Sequence, residues 1–441
     1  MFDADKSSYK PSLLEEACRW LYSALLFLLV PLVYWQLSSK SKTEPLAHKN
    51  KLLERLGFGS FTAKKGGYLF HCVSVGEVVA ASCLIKRIMA LEPNVPITVT
   101  TTTATGSARV KSIFGDQVHH FYLPFDLPLS MRRLIKRVQP KAVLITEVEL
   151  WPNLIHSCWK LNVPTFVINA RMTERSATRY KKISKLFNPM LSKVSHICAQ
   201  GQRDYDNYAL LGVEKDKLTL TNNIKFDQAV SVQEGTQSFL GLATSERPIL
   251  VAGSTHDGEE QVVIETLTAL LNALPSTDAS PLAIIVPRHP QRFYTVESML
   301  ASTNLRFVKS TSVNTVSNDV DVVLLNEMGK LNLAYGVASF AFVGGSIADK
   351  GGHNALEPAA FSLPIMMGPH MYNNPVICEY LQECGALTVV NNAADMTACI
   401  NNWMSDPNKA LEAGRAGKLV LEQNSGALES TLACINPYLK D

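Results

Sequence analysis

From Gly67 onward, short apolar runs alternate with amphipathic segments. The runs Y-L-F-H-C-V-S-V, I-T-V-T-T-T, A-V-L-I-T-E-V and T-F-V-I-N-A, closed by H-I-C-A-Q, have the length of strands. Helix-like stretches such as Leu127–Val138 and Arg179–Leu191 lie between them. Strands alternating with helices of this size predict βαβ units on a parallel sheet. The runs are apolar on both faces, as a sheet covered on each side requires. After N-N-I-K-F-D the segment V-S-V-Q-E-G-T-Q-S (230–238) is polar and aperiodic. The alternation then restarts with P-I-L-V-A-G-S-T, L-A-I-I-V-P-R-H, V-D-V-V-L-L, S-F-A-F-V-G-G-S and L-P-I-M-M-G. The pattern therefore predicts two doubly wound α/β domains with a boundary near 225–245.

A different pattern precedes them. No charged residue lies between Arg19 and Lys40, and W-L-Y-S-A-L-L-F-L-L-V-P-L-V-Y-W-Q-L fills most of the gap. About 20 helical residues cover the hydrocarbon of a bilayer. Trp20, Tyr22, Tyr34 and Trp35 sit near the ends, where aromatic rings favour the interface. Lys40, Lys42, Lys49, Lys51 and Arg55 dominate the C-terminal flank, which places the remainder of the chain in the cytosol. L-S-S-K-S-K is a poor signal-peptide cleavage site. Three readings stand: a span, a helix lying in the interface, or a core helix interrupted at Pro31.

Composition narrows this picture. At 441 residues, 46% of them apolar, the chain is long enough for two cores. A net charge of +3 gives no reason to expect nucleic acid. Nine scattered cysteines without a C-x-x-C pair point to reduced thiols rather than disulfides or zinc. Neither half holds G-x-x-x-x-G-K-[ST] or G-x-G-x-x-G, so P-loop and dinucleotide readings lack support.

Ligands of doubly wound sheets bind beyond the carboxyl ends of the strands, and the unusual residues cluster there. In the second half these are V-A-G-S-T-H-D-G-E-E (251–260), Arg288 and His289 after I-I-V-P, and Gly344–Ser346, followed by K-G-G-H-N-A-L-E-P (350–358). Turn glycines let backbone N–H groups approach a phosphate, and Arg288 can bind its oxygens bidentately. Glu357 could accept ribose hydroxyls; equally, Asn354 and Glu357 fit a capping pair. In the first half stand Glu77 after V-S-V-G, T-T-T-A-T-G (101–106) and T-E-V-E-L-W-P-N (146–153). Glu147 and Glu149 would share one side of an extended chain. A lone carboxylate at a helix start usually offsets the macrodipole, whereas a pair facing a second domain suits a general base and its support. Histidines 119, 120 and 289 lack metal-ligand spacing, so no metal is expected.

The ordered motifs V-S-V-G-E, T-T-T-x-T-G, E-L-W-P-N, I-N-A-R-x-[ST], G-S-T-H-x-G-E-E, V-P-R-H-P-x-R-F and G-G-H-N-x-L-E-P-A-A resemble those of the Kdo transferases across nearly the whole chain. The resemblance implies a GT-B fold: two Rossmann-like domains facing across a cleft, preceded by a membrane-associated helix. The implied divisions are an anchor at 1–45, an acceptor domain at 46–228 and a donor domain at 229–441, with Leu411–Asn436 returning toward the first domain. It implies inverting transfer of 3-deoxy-D-manno-octulosonic acid (Kdo) from CMP-Kdo to the lipid A precursor by a monomer, without cofactor or metal. The enzyme would sit on the cytoplasmic face of the inner membrane. Glu77 would be the base, supported by Glu149. Ser254, Thr255, Arg288, His289, Met328, Gly329, Gly345, Ser346, Gly352, Asn354 and Glu357 would hold the donor. Ser74, Gly76, Thr103 and Arg171, with Arg132 and Arg133 toward lipid, would serve the acceptor side; for the last two a solvated helix face explains the charges equally well. Two positions depart from the family pattern: Lys330 follows M-G where an acidic residue is common, and Asn222 stands where T-G-N is usual. A nucleotide-sugar epimerase or another membrane-associated glycosyltransferase is the alternative enzyme, and a non-catalytic nucleotide-binding protein the alternative class.

Overall fold

The structure, a computed structural model, describes residues 9–40, 54–57, 63–230, 239–273 and 280–438. Lys42, Lys49 and Lys51 of the basic flank lie outside them, as do the side chain of Lys40 and most of the polar segment 230–238. The chain divides into two compact units, Met1–Asp227 with Gly426–Asp441, and Gln228–Ser425.

The first unit holds a seven-stranded parallel sheet in the order β3-β2-β1-β4-β5-β6-β7. Its strands are β1 (Tyr68–His71), β2 (Ile97–Thr101), β3 (His119–Tyr122), β4 (Ala142–Thr146), β5 (Thr165–Ala170), β6 (His196–Ala199) and β7 (Leu218–Leu220). β1, β2, β4 and β5 are buried along their whole length, because helices cover both faces. The continuous apolar runs made these central strands visible. β3 begins with two half-buried histidines and β7 is three residues long, so neither carries that signal. Arg179–Leu191 is two helices, Glu174–Lys182 and Ser184–Ser192, joined at Ile183.

The second unit repeats the scheme in the order β10-β11-β9-β8-β12-β13-β14. Its strands are β8 (Ile249–Thr255), β9 (Leu282–Pro287), β10 (Phe307–Lys309), β11 (Val322–Leu324), β12 (Phe340–Val343), β13 (Ile365–Met367) and β14 (Leu387–Val389). All of its strand pairs are parallel. In both units β1 or β8 lies inside the sheet, next to the point where strand order reverses, which is where doubly wound folds place ligands.

The C-terminal return is shorter than expected. The helix Pro407–Asn424 stays in the second unit, and only Ala427–Ile435 belongs to the first. Leu432 and Ile435 join the core formed by Tyr68, Phe70 and Phe166. The Asp227 carboxylate caps this helix, accepting N–H bonds from Gly426 and Leu428 at 2.6 Å each. The Asp of K-F-D therefore ties the two ends of the first unit together.

The helix Leu13–Lys40 is long and apolar enough to cross a membrane by length and composition. Its two faces behave differently. Arg19 and Ser23 are buried against the start of the helix Pro152–Lys160, whereas Leu21, Leu25, Phe27, Leu28, Leu29 and Leu32 are exposed. A buried core helix is thereby ruled out, since the apolar face covers none of the core.

Candidate active site

In the first unit, chemistry gathers where β1, β4 and β5 end. The helix following β1 starts at Val75, not at Glu77, with Ser74 as its N-cap. Glu77 is the third helical residue and closes a capping box. Its N–H donates to Ser74 Oγ at 3.4 Å, and its carboxylate accepts from Ser74 N–H at 3.2 Å, Ser74 Oγ at 2.8 Å and Val73 N–H at 2.8 Å. Both oxygens of the carboxylate are thus engaged by its own turn. Glu77 is only 7% exposed. Burial, reinforced by the charges of Glu149 and Glu147 and opposed by the Val73 and Ser74 bonds, pushes its pKa up to about 7. A carboxyl poised near neutrality at a strand's carboxyl end is suited to general base work. A Cβ at Gly76 would meet nothing closer than Ser74 Oγ at 3.9 Å, so no close approach requires glycine there.

Glu147 and Glu149 do not share one side of an extended chain. β4 stops at Thr146, and Glu147 adopts a left-handed conformation, φ 58°. The turn gathers them with Glu77 instead, and burial, then Glu147, raises the Glu149 carboxyl. Thr103 donates its hydroxyl to Val73 O at 2.8 Å while capping the next helix at Gly106 N, so it braces the turn that carries Glu77.

Lys225 was missed by sequence reasoning. Half-buried, it lies within electrostatic reach of Glu147 and Arg171; burial is the largest influence and lowers its pKa. Asn169 of I-N-A-R, at φ 49°, accepts the Ile224 N–H at 3.1 Å and so brings Lys225 to the site. Its signal was the run N-N-I-K-F-D, in which Asn222 takes φ 66°. Asparagine tolerates that conformation better than most residues. Arg132 and Arg133 are exposed on the helix Pro128–Val138, lining a basic depression of about 440 Å³ with Leu129, Lys136 and Arg137.

In the second unit the glycine turn after β12 is not an empty phosphate cradle. The N–H groups of Gly345, Ser346, Ile347 and Ala348 all donate to the carboxylate of the fully buried Glu259, at 2.8–3.2 Å. Ser346 is also fully buried, donating to Val343 O and accepting from Gly368 N. Thr255 is buried and donates to Glu260 Oε1 at 3.0 Å. Gly345, Ser346 and Thr255 consequently shape the floor of the site and do not present their polar groups to a ligand, contrary to the expectation. Glu259, within G-S-T-H-x-G-E-E, is the residue that was overlooked; a buried carboxylate at a helix start signals waiting N–H donors.

Other donor-side residues converge. Arg288 is exposed at the end of β9, its N–H held by Thr255 O at 3.0 Å across the bulge at Ser254, φ 57°. Its charge reaches Glu357, whose carboxyl is raised by burial against the opposing Asn354 bond and Arg288 charge. Asn354 Oδ1 accepts Leu356 N–H at 3.2 Å, and its Nδ2 donates to Glu357 at 3.3 Å; the N-cap is Ala355, without a side-chain bond, so the two form a local turn and not a capping box. Arg288 also acts on His353, which lies beside His256 and His289. Gly352 adopts φ 71° and is packed against Met367 and His370 O. Met328 is exposed and precedes Gly329, φ 81°. Lys330 pairs with Glu327 at 2.6 Å in a local ion pair.

Comparison with known proteins fits this arrangement. A family profile described as "3-Deoxy-D-manno-octulosonic-acid transferase (kdotransferase)" matches residues 50–228. A 3-deoxy-D-manno-octulosonic acid transferase of Haemophilus influenzae is 39% identical over 427 residues, covering 96% of this chain and 99% of the relative. The chain belongs to the Kdo transferase family. Among solved structures, UDP-GlcNAc 2-epimerase from Neisseria meningitidis bound to UDP-GlcNAc aligns with a TM-score of 0.57 at 10% identity, over 85% of this chain and 100% of that one. The glycotransferase of kitacinnamycin gives 0.54, covering 86% of this chain and 100% of that one. These two likenesses speak for the GT-B fold alone. For a Kdo transferase, the carboxylates after β1 and β4 and the arginine and histidines after β8 and β9 stand at the ligand-binding edges of their respective sheets.

Proposed function

We propose that the chain transfers Kdo from CMP-Kdo to a hydroxyl of the lipid A precursor, with inversion at the anomeric carbon. The observation that carries the mechanism is Glu77, held near neutral pKa at the carboxyl edge of the first sheet. In the reaction the acceptor hydroxyl attacks the anomeric carbon and loses its proton to Glu77. The bond from that carbon to the CMP phosphate oxygen breaks, and the carbon passes through oxocarbenium character. Arg288 meets the charge that develops on the departing phosphate. Ser74 and Val73 fix the Glu77 carboxylate in one orientation, and Glu149 supports its affinity for the proton. Met328, Gly329, Asn354 and Glu357 are assigned to the nucleotide.

The acceptor carries acyl chains, and the exposed apolar face of the N-terminal helix gives the enzyme a way to stay on the membrane that holds it. The basic face of the helix Pro128–Val138 suits anionic headgroups or acceptor phosphates. Our reading assigns the enzyme to the cytoplasmic face of the inner membrane. Purified protein incubated with CMP-Kdo and tetraacylated lipid A precursor, read by mass spectrometry, is expected to show mass additions of Kdo and release of CMP. Consumption of donor without a lipid product, or no reaction, would reject the reading.

A further inference from the structure

The turns after β8 and β9 and the loop after β12 bring three imidazoles together in the second unit. His256 and His353 lie parallel, ring centroids 5.1 Å apart, with their Nε2 atoms at 2.8 Å. His289 meets His256 edge-on at 5.5 Å. The loop is shaped for this contact: Gly345 sits at φ 71°, where a Cβ would stand 3.0 Å from His353 Cδ2 and 3.1 Å from its Nε2. Two Nε2 atoms at that distance require one to donate and the other to accept, so the pair shares one proton.

The groups facing the pair are mostly cationic. Arg288, His289 and Lys350 act on His256, and Arg288 and His289 act on His353. Glu259 is the one anion among those acting on His256, and its oxygens are already committed to five backbone N–H groups, that of His256 included. Burial first, then Arg288 and the neighbouring histidines, push His353 down to about 4, and burial lowers His256 as well. At neutral pH the pair is uncharged. An anion seated against it would remove the penalty on a second proton, converting both imidazoles into donors.

The donor proposed above carries two anionic groups. One is the phosphodiester, for which Arg288 is available. The other is the carboxylate of the octulosonic acid, attached to the anomeric carbon and therefore close to that phosphate. We infer that the His256–His353 pair, flanked by His289, is the seat of the sugar acid's carboxylate and selects ulosonic acids over neutral sugars. This inference rests on the donor reading of the preceding section.

Titration calorimetry of the full chain, without acceptor, tests it with CMP and with CMP-Kdo as separate ligands. For His353→Gln and His256→Phe the expected result is CMP affinity within about twofold of wild type, and CMP-Kdo affinity lower by about tenfold or more. In wild type, repeating the titrations in two buffers of unlike ionisation enthalpy should show extra proton uptake for CMP-Kdo over CMP. This second measurement needs no variant, so it holds even if a substitution lowers the melting midpoint. Equal losses for both ligands would assign the pair to the phosphate and overturn the inference. Unchanged CMP-Kdo affinity, or equal proton uptake for the two ligands, would overturn it as well. A wild-type protein that binds neither ligand would reject the donor reading itself.

Discussion

Ser74 and Glu77 hold each other in a reciprocal cap: the Glu77 N–H donates to Ser74 Oγ, and the Ser74 N–H and Oγ donate to Glu77 Oε1. The same carboxylate is the base proposed for the reaction, so one side chain closes a helix and accepts a proton. The two roles separate by substitution. Glutamine can close this capping box through its amide oxygen, but its amide nitrogen cannot accept the Val73 N–H and it cannot take a proton. Glu77→Gln should reduce transfer by ~10²–10⁴-fold while leaving CMP-Kdo affinity in place. Glu77→Ala should lose transfer and also about 1 kcal/mol of stability. Melting curves beside a transfer assay check both; near-normal turnover by the glutamine variant would remove Glu77 from the chemistry.

The pH dependence has a defined sign. Glu77 must be ionised to act as base, so transfer should rise as pH climbs through about 7. Stability moves the other way. The folded-state pKa lies above the free value of 4.5, so folding favours the protonated carboxyl. That stabilisation is complete below about 4.5 and is lost as pH rises through about 7. Glu77→Gln, permanently neutral, should therefore melt at or above the wild-type temperature at mildly alkaline pH. A variant melting well below wild type there would contradict the buried, raised carboxyl.

Glu259 satisfies five backbone N–H groups from inside the second unit, those of His256, Gly345, Ser346, Ile347 and Ala348. Removing the carboxylate strands them in a buried turn, at about 1–3 kcal/mol for each group that water does not reach. Glu259→Ala should lower the melting midpoint sharply and abolish CMP binding with it. Gly345→Ala strains a left-handed position and crowds His353, so CMP-Kdo binding should weaken with a smaller loss of stability. Thermal melting and calorimetry on the two variants check the order.

The central strands were legible because burial on both faces demands unbroken apolar runs, as in A-V-L-I-T and L-A-I-I-V-P. The short edge strands were not, since Leu218–Leu220 and Phe307–Lys309 hold few buried residues. At the site, residue type and strand-end position pointed correctly to Glu77 and Arg288 as polar groups at the sheet edges. Which groups were already spent was invisible. The glycine turn at 344–345 read as a phosphate cradle because the carboxylate that fills it lies 86 residues before Gly345. Lys225 escaped notice because its place depends on Asn169, on another strand. The His256–His353 contact likewise joins two loops whose proximity no local pattern encodes.

The N-terminal helix supplies the last prediction. One face of its first half is fixed by a largely buried polar network. Arg19 Nη1 donates to Asn153 Oδ1 at 2.9 Å, and Asn153 Nδ2 donates to Ser23 Oγ at 3.0 Å. Tyr22 OH donates to Asp126 Oδ2 at 3.2 Å, while Asp126 also accepts the N–H groups of Asn153 and Leu154. Asn153 is the final residue of E-L-W-P-N, so this motif joins the helix to the loop that carries Glu149. Arg19 is 6% exposed and Asn153 and Asp126 are 0% and 1%, so loss of one partner leaves buried groups unpaired. Asn153→Ala should cost about 2–3 kcal/mol and release residues 13–23 to hydrogen exchange. The exposed residues Leu25–Leu32 make no part of that network, so the variant should still sediment with vesicles. If residues 13–23 exchange freely in the wild-type protein bound to vesicles, the first half of the helix leaves the domain at the membrane, and the docked arrangement is wrong.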